Sequence, residues 1–497
     1  MLHTSRRRLR AVLLAAVSAT LVAASLPSPE PLGIGDRLFP QLGNPGYDVL
    51  AYDIAFTYRG INSEPLDAVT KIDALATRQL QRVNLDFAHG TVRTVEVNGL
   101  PAEFATGGED LVVEPSFAVA AGTRMRITVT HTSDPRGSQD AGGWVRTGDG
   151  LVMANQADAA HRVFPCNDHP ADKAYFTFRV TAPAPYTAVA NGRRVARVLT
   201  GETGVWAYRT SHPMATELAQ VAIGRSAVIK RRGPHGLPVR DVVPAADRTR
   251  LEPWLRKTPG HLAWMEEKVG RYPFETYGVL IADARTGFEL ETQTLSLFER
   301  SLFTGNALPE WYVDSVMVHE LAHHWFGNSV SPRTWSDLWL NEGHATWYQA
   351  LYAEEKANQS LERRMRLAYQ LSDGWRTAGG PPAAPRPPVP GKKISIFRPV
   401  VYDGSALVLY ALRQTIGKDA FELLERTWVA LHADGTASTQ DFTQLASRIA
   451  GRDLGQFFQD WLYAKRTPPM PGHPGWRSHA PTRHAAPAAP RASSGRR

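Results

Sequence analysis

The sequence predicts an α+β protein with two folded domains, a β-rich N-terminal domain followed by a mainly helical domain. Its 497 residues are too many for one ordinary domain, and 43% hydrophobic with 21% charged residues is a globular composition. Between about residues 47 and 243, apolar and polar residues alternate with the period of a strand. Helical patterns dominate from residue 245 to residue 464. We therefore expect an antiparallel β-rich domain over residues 40–243 and a helical domain over residues 244–466.

Local signals support both assignments. Residues 124–130 alternate as a half-buried strand does, and residues 95–99 end a strand in an Asn-Gly turn. Pro259 to Val269 reads as a helix with Thr258 as its N-cap, and Ser405 to Thr415 reads as another helix. These elements justify a β domain first and a helical domain second.

The N-terminus has the order of a secretory signal over residues 1–25. A cluster of arginines precedes an apolar run from Ala11 to Ala24, and small residues and prolines follow. The run is short for a transmembrane span, although an uncleaved anchor is the alternative interpretation. The arginine-rich start also resembles a twin-arginine signal loosely. We expect a secreted, extracellular protein without a stable membrane span once the signal is removed.

The net charge of +8 does not indicate a nucleic-acid partner. The two ends, residues 1–25 and 467–497, together carry nine arginines and no acidic residue, which leaves the interior with a net charge of −1. Residues 467–497 are mostly Pro, Ala, Arg, Ser and Gly and are predicted to be a disordered basic tail that includes His473, His479 and His484. The single cysteine, Cys166, excludes an internal disulfide framework.

The segment HELAH at residues 319–323 is the strongest chemical motif. On a helix, His319 and His323 lie four positions apart and project from one face, so that two imidazoles can bind one metal ion. Glu320 lies about 100° around the helix from His319 and can reach a water on the metal without being a ligand itself. The alternative is an ordinary amphipathic helix with buried histidines.

Glu342 is the predicted third ligand, because 18 residues separate it from His323. Asn328 and Pro332 end the first helix, and Ser336 is the predicted N-cap of a second helix that carries Glu342. Two histidines and one glutamate favour zinc over metals that prefer oxygen, so the sequence predicts one Zn²⁺ per chain.

Thr346 follows Glu342 by one helical turn. We expect its hydroxyl to accept a hydrogen bond from a ligand imidazole and fix the tautomer. The alternative is a hydroxyl that bonds a carbonyl of its own helix.

The run HELAHHWFGNSV, followed by WLNEG, resembles the aminopeptidase N and leukotriene hydrolase family of zinc metallopeptidases, the gluzincins. The resemblance covers most of residues 45–466 and implies a short form with a thermolysin-like catalytic domain. Residues 288–292 resemble the family segment Gly-x-Met-Glu-Asn, with Leu290, Glu291 and Thr292 at its last three positions. Phe288 and Glu289 stand where the family has Gly-Ala.

Two further segments carry the resemblance. Residues 155–168 are similar to a family segment that ends in Phe-Pro-Cys-x-Asp, which aligns Gln156 with the residue that holds the substrate amine; Asp158 is the other candidate. The run VYDG at residues 401–404 resembles the family motif Val-Tyr-x-x-Gly, with its glycine one residue early. Tyr402 is thereby aligned with the tyrosine that supports the reaction intermediate.

The resemblance implies a zinc aminopeptidase that acts on peptides with a free N-terminus, and the N-terminal signal predicts that it is secreted. Zinc on His319, His323 and Glu342 activates water, and Glu320 serves as the general base. Tyr402 stabilises the oxyanion. The α-ammonium group of the substrate is bound by Glu291 and Gln156.

Three alternatives stay open from the sequence. A thermolysin-like endopeptidase shares the zinc triad but does not require Glu291 with Gln156. Epoxide hydrolysis, known in one branch of the family, has no support in these residues. A non-catalytic secreted binding protein on the same fold is disfavoured, because ligands, base and tyrosine are all present.

Overall fold

The computed structural model describes residues 33–137, 142–389 and 392–479. The predicted signal segment, residues 1–25, and residues 480–497 of the predicted tail lie outside the described residues. Within the described ranges, no helix combines the length and apolar character needed to cross a membrane.

Strands follow one another through the N-terminal part of the chain. They are β1 (Tyr47–Thr57), β2 (Leu66–Ala76), β3 (Val83–Asp86), β4 (Val92–Val97), β5 (Leu100–Pro101), β6 (Glu103–Gly107), β7 (Asp110–Glu114), β8 (Arg124–Ser133), β9 (Gly143–Arg146), β10 (Leu151–Ala154), β11 (Tyr175–Pro183), β12 (Thr187–Ala190), β13 (Arg193–Thr200), β14 (Thr203–Arg209) and β15 (Val221–Gly224). They form an eight-stranded sheet of order β13-β14-β11-β1-β2-β8-β4-β5, a four-stranded sheet of order β12-β15-β10-β9 and a three-stranded sheet of order β3-β7-β6.

The alternating sequence of these strands reflects their half-buried position. In β8 every second side chain is buried, as the pattern at residues 124–130 predicts. Asn98 and Gly99 both have positive φ, 53° and 78°, and join β4 to β5 in a tight turn. The large sheet departs from the predicted antiparallel arrangement at one place, because β1 pairs with β11 in parallel. A long connection between them, which contains β2 to β10, makes a parallel pairing accessible.

The second part of the chain is mainly helical. Its strands are β16 (Ser226–Arg232), β17 (Pro238–Pro244), β18 (Val279–Ala282), β19 (Ser296–Glu299), β20 (Ser331–Pro332) and β21 (Thr436–Ala437). Its helices are α1 (Arg248–Leu255), α2 (Thr258–Val269), α3 (Arg300–Thr304), α4 (Glu310–Ala322), α5 (Trp339–Ala357), α6 (Leu361–Gly379), α7 (Asp403–Ile416), α8 (Lys418–Leu431), α9 (Thr439–Ala450) and α10 (Gly455–Tyr463). The predicted order of a β-rich domain and a helical domain is confirmed.

A mixed sheet of order β16-β17-β18-β19 lies at the start of this part. Strand β16 precedes the predicted boundary at residues 243/244 and β17 crosses it, and β17 pairs with β18. The predicted helix at 259–269 corresponds to α2, of which Thr258 is the first residue rather than the N-cap, and the predicted helix at 405–415 corresponds to α7.

Residues 467–479 depart from the predicted disordered tail. Met470 and Trp476 are buried in the core of the helical part, and the Tyr369 hydroxyl donates to the Pro468 carbonyl over 3.0 Å. His473 stacks on Trp476 and lies 2.9 Å from the Tyr410 hydroxyl, so it is a packed side chain and not a solvated one. The composition of this segment is poor in large apolar residues, but its few large side chains fill a groove against α6 and α7.

Candidate active site

Helix α4 carries the histidine pair. The helix begins directly after Pro309, which cannot donate within it, and His323 is the residue that closes its C-terminal end. Val318 and Leu321 are buried in the core of the helical part, whereas His319 and His323 line a cavity. The i, i+4 spacing therefore brings two imidazoles to one wall of this cavity, as predicted.

Helix α5 places Glu342 opposite this pair. A short turn at residues 335–338 leads into the helix, and Thr334 and Asp337 form a reciprocal capping box at its start. Asp337 also accepts a hydrogen bond from the Thr439 amide over 2.8 Å, which ties the turn to α9. The predicted N-cap, Ser336, lies inside the turn and accepts from Arg37 instead, because Thr334 supplies the hydroxyl three residues before Asp337.

His319, His323 and Glu342 meet at one point. Nε2 of His319 lies 3.2 Å from Nε2 of His323, and Oε2 of Glu342 lies 3.3 Å and 3.5 Å from these two nitrogens. This carboxylate oxygen is buried and has no hydrogen-bond partner among the described residues. Two imidazole nitrogens and one orphaned carboxylate oxygen that converge in this way fit a zinc ion with a fourth position left for water.

The charges of the three predicted ligands depend on one another. Burial by itself raises the pKa of Glu342, but His323 and His319 lower it to about 2. Burial lowers the pKa of the His323 imidazole, and the nearby Glu291 and Glu342 carboxylates raise it to about 10. The carboxylate thus stays ionised beside the imidazoles, which is the form that binds a divalent cation.

Glu320 lies beside the triad and is not part of it. Ligand atoms of Glu291, Glu320 and His323 form a second group, within 4.8 Å of one another. Burial raises the pKa of Glu320 well above its ordinary range; His323 opposes this shift, and the Glu291 and Glu342 carboxylates reinforce it. A carboxyl group whose pKa is raised holds a proton more readily than an exposed one, which suits a group that has to take up a proton.

Glu291 and Gln156 come from distant segments and are directly paired. Nε2 of Gln156, which follows β10, donates to Oε1 of Glu291 over 2.8 Å, and both residues line the cavity. Burial raises the pKa of Glu291, so its charged form needs a cationic partner. Asp158, the other candidate for this role, is buried but is not among the described residues that line the cavity.

Tyr402 lines the same cavity from the residue before α7. Its ring stacks on the His319 imidazole with the ring centroids 6.1 Å apart. Burial raises the pKa of the Tyr402 phenol well above its ordinary value, and the Glu342, Glu291 and Glu320 carboxylates add to the shift. The phenol therefore keeps its proton and is available as a hydrogen-bond donor.

Thr346 does not make the predicted contact. Its hydroxyl is buried at the cavity and has no hydrogen-bond partner among the described residues, neither a ligand imidazole nor a helix carbonyl. The Nδ1 atom of His323 lies 3.2 Å from the Phe326 carbonyl instead, since the chain turns back immediately after this histidine. This carbonyl can fix the tautomer of His323.

The cavity has a volume of about 290 Å³ and unites every predicted site residue. It also contains residues that the sequence did not single out for function. The Nε atom of Arg364 donates to Asp403 over 2.9 Å at this cavity, and Glu289 and Phe288 line it beside Glu291. For Phe288 and Glu289 the sequence offers one signal, which is that they replace the Gly-Ala of the family pattern.

Comparison with known proteins agrees with this fold. Residues 255–461 match the Peptidase family M1 domain, and residues 148–218 match the Peptidase M1 N-terminal domain. A crystal structure of an M1 zinc metallopeptidase from Deinococcus radiodurans superposes with a TM-score of 0.76 and 26% identity, covering 88% of this chain and 98% of that protein. The chain belongs to peptidase family M1.

Relatives at the sequence level carry aminopeptidase names. Aminopeptidase M1 of Arabidopsis thaliana is 27% identical over 325 residues, which cover 62% of this chain and 36% of the plant protein. Probable aminopeptidase 1 of Saccharolobus solfataricus is 22% identical over 439 residues, 85% of this chain and 53% of the relative. The chain thus spans only about a third to a half of the length of these relatives.

Proposed function

We propose that this protein is a secreted, zinc-dependent aminopeptidase that removes the N-terminal residue from peptides. The observation that carries the proposal is the Gln156–Glu291 pair, buried in the same cavity as His319, His323 and Glu342. The names of the sequence relatives support an aminopeptidase activity. A relative from Deinococcus radiodurans has been crystallised with a Tyr-Ser-Ala substrate, which supports a peptide ligand.

His319, His323 and Glu342 would hold one zinc ion, which when bound lowers the pKa of a water molecule and polarises the scissile carbonyl. Glu320 takes the proton of the attacking water and delivers it to the leaving amine. Tyr402 keeps its proton and donates a hydrogen bond to the oxygen on which negative charge develops. The cavity wall thus supplies the base and the oxyanion donor from two separate helical segments.

Glu291 makes the reaction specific for a chain end. A buried carboxylate recovers its desolvation cost only when a cation pairs with it, and the α-ammonium group of a peptide supplies that cation. Gln156 orients the carboxylate by donating to one of its oxygens. A thermolysin-like endopeptidase has no use for this pair, and a non-catalytic binding protein has no use for Glu320 and Tyr402.

Export of the protein is a separate part of this proposal. It is supported by the arginine cluster and the apolar run of residues 1–25. Cell fractionation with N-terminal sequencing of the extracellular protein tests it. A mature N-terminus shortly after residue 25 is expected, whereas a chain that stays inside the cells contradicts export without affecting the enzymatic proposal.

The enzymatic proposal is tested with peptides of one sequence that carry a free or an acetylated N-terminus. Acetylation removes the cation and leaves Glu291 unpaired, which we expect to lower kcat/KM about a thousandfold. We expect Glu291→Ala to retain zinc and to have a lower kcat/KM for the free peptide. The difference in kcat/KM between the free and the acetylated peptide should become smaller. Equal cleavage of both peptides by the unmodified enzyme, or internal cuts, would mean an endopeptidase.

A further inference from the structure

The segment before Glu291 brings a second carboxylate into the cavity. Leu290 forms an isolated bridge with Leu297, with N···O distances of 2.9 Å and 2.7 Å in the two directions. In such an extended segment, alternate side chains point to the same side. Leu290 is fully buried in the core of the N-terminal domain, while Glu289 and Glu291 both line the cavity.

The spacing of these two acids matches one residue of a basic peptide. Positions i and i+2 of an extended segment are about 7 Å apart. A lysine or arginine at a peptide's N-terminus carries two cations, its α-ammonium group and the group at the end of its long stem. With the α-ammonium on Glu291, the second cation lies within reach of Glu289, and the stem can pack against Phe288.

The remaining charges of the cavity favour a cation at this position. Among the described residues that line it, Arg364 is the one arginine or lysine, and it is already paired with Asp403. Burial raises the pKa of Glu289 to about 8, so its ionised form is stabilised when a cation binds beside it. An acidic side chain in the same place would meet carboxylates on several sides.

We propose that Glu289 is a specificity-determining residue that selects peptides with an N-terminal lysine or arginine. The inference rests on the proposed aminopeptidase function and adds the class of the N-terminal residue. The alternative is a purely structural role, because Oε2 of Glu289 accepts a hydrogen bond of 2.6 Å from the Glu299 amide at the start of α3.

The test uses aminoacyl coumarin amides in matched pairs, arginine against citrulline and lysine against norleucine. Citrulline keeps the length of the arginine side chain, norleucine keeps the four carbons of the lysine stem, and both lack the charge. We expect kcat/KM of the zinc-loaded enzyme to be about tenfold or more higher for the charged member of each pair.

Glu289→Gln separates the two roles of this side chain. Glutamine keeps an oxygen that can accept from the Glu299 amide, but it lacks the charge. The variant should retain the folded state, and its kcat/KM for the lysine and arginine amides should fall to the values for their uncharged partners. Glu299→Gln is the matched control: it removes a neighbouring charge at the end of β19, outside the cavity lining. The Glu299 charge opposes ionisation of Glu289, so its removal should keep the preference.

A preference that is absent from the unmodified enzyme, or that survives in Glu289→Gln, overturns the inference. So does faster hydrolysis of a glutamate amide than of the arginine amide. Hydrolysis of the neutral amides in these cases leaves the aminopeptidase function intact. If the zinc-loaded enzyme hydrolyses none of the amides, the proposed function itself fails. Binding of free arginine and citrulline to Glu320→Gln, measured by calorimetry, supplies a second readout, with tighter binding of arginine expected.

Discussion

The ligand atoms of Glu342, His319 and His323 are close enough to share one ion, to which each residue would contribute one bond. Removing one of them in Glu342→Ala or His319→Ala should abolish stoichiometric zinc binding, because a structural or catalytic zinc site needs its full set of protein ligands. Elemental analysis of the purified variants measures this directly. Glu320→Gln is the control and should keep one zinc per chain. Full retention of zinc in both ligand variants would exclude this ligand assignment.

In the proposed mechanism, Glu320 acts on protons and does not hold the metal. Glu320→Gln preserves the shape of the side chain but cannot accept the proton of the attacking water, so the turnover number should fall by about 10²–10⁴-fold. Stopped or steady-state assays with a fluorogenic amide measure the loss, and the zinc content shows that the site is otherwise intact. A variant that turns over at nearly the normal rate would assign the base to another group.

For individual residues, the sequence predicts those positions in the site that local helix geometry determines. The spacing of His319 and His323 determines their common face once the segment is helical, and Glu342 is identified by its position on the next helix. Glu289 was noticed as a departure from a family pattern, but nothing in the sequence shows that it shares a cavity with Arg364. Their proximity depends on how a strand-like segment and α6 meet in space. The missing hydrogen bond of Thr346 depends on side-chain orientation, which spacing alone does not determine.

Among the elements, the pair of β2 and β8 carries a buried histidine whose titration can be followed. His131 on β8 is fully buried, and its Nε2 lies 3.0 Å from the Thr70 hydroxyl on β2. Burial lowers its pKa to about 4. The folded state therefore favours the neutral imidazole, and the stability this contributes is complete above pH 6.5 and is lost as the pH falls through 4.

The expected loss is about 3 kcal/mol of the free energy of unfolding of the N-terminal domain. In His131→Asn, which keeps a donor for the Thr132 carbonyl, stability at pH 7 should decrease and should then fall less steeply between pH 7 and pH 4.5. Urea unfolding of the unmodified protein and of the variant at pH 7 and pH 4.5 measures how steeply the free energy of unfolding of each falls with pH. Acids with raised pKa values, such as Asp86, act in the opposite direction in both proteins and cancel in the difference. Parallel slopes would contradict the assignment.

Whether a segment forms a helix or a strand could be predicted from the sequence, but which strands pair with one another could not. Periodicity identified β8, α2 and α7 because each pattern reflects one buried face. The parallel pairing of β1 with β11 has no local signal, since it depends on which strand reaches the free edge of β1. The capping box of Thr334 and Asp337 was present in the sequence, but Ser336 competed with it as a hydroxyl at nearly the same place.

For the whole molecule, residues 467–479 are a stabilising part of the catalytic domain. Truncation after residue 466 removes Met470 and Trp476 from the core and should lower the free energy of unfolding of this domain by about 3–5 kcal/mol. Truncation after residue 479 keeps every described contact and should not change Tm. Calorimetry of the two truncated proteins checks this, and equal Tm values would show that the segment does not contribute to stability.

The parallel pairing of β1 with β11 has a consequence for the order in which the protein folds. Ala51 is paired with Tyr175, so this contact joins residues that are far apart along the chain. During synthesis, β1, β2, β8, β4 and β5 can associate first, whereas the other edge of β1 waits for β11, β14 and β13. Until they emerge, β1 exposes unpaired backbone groups that could pair with another chain. Completion of the large sheet should therefore be a late, slow step, and a nascent or exported chain has its greatest need for a chaperone during this interval.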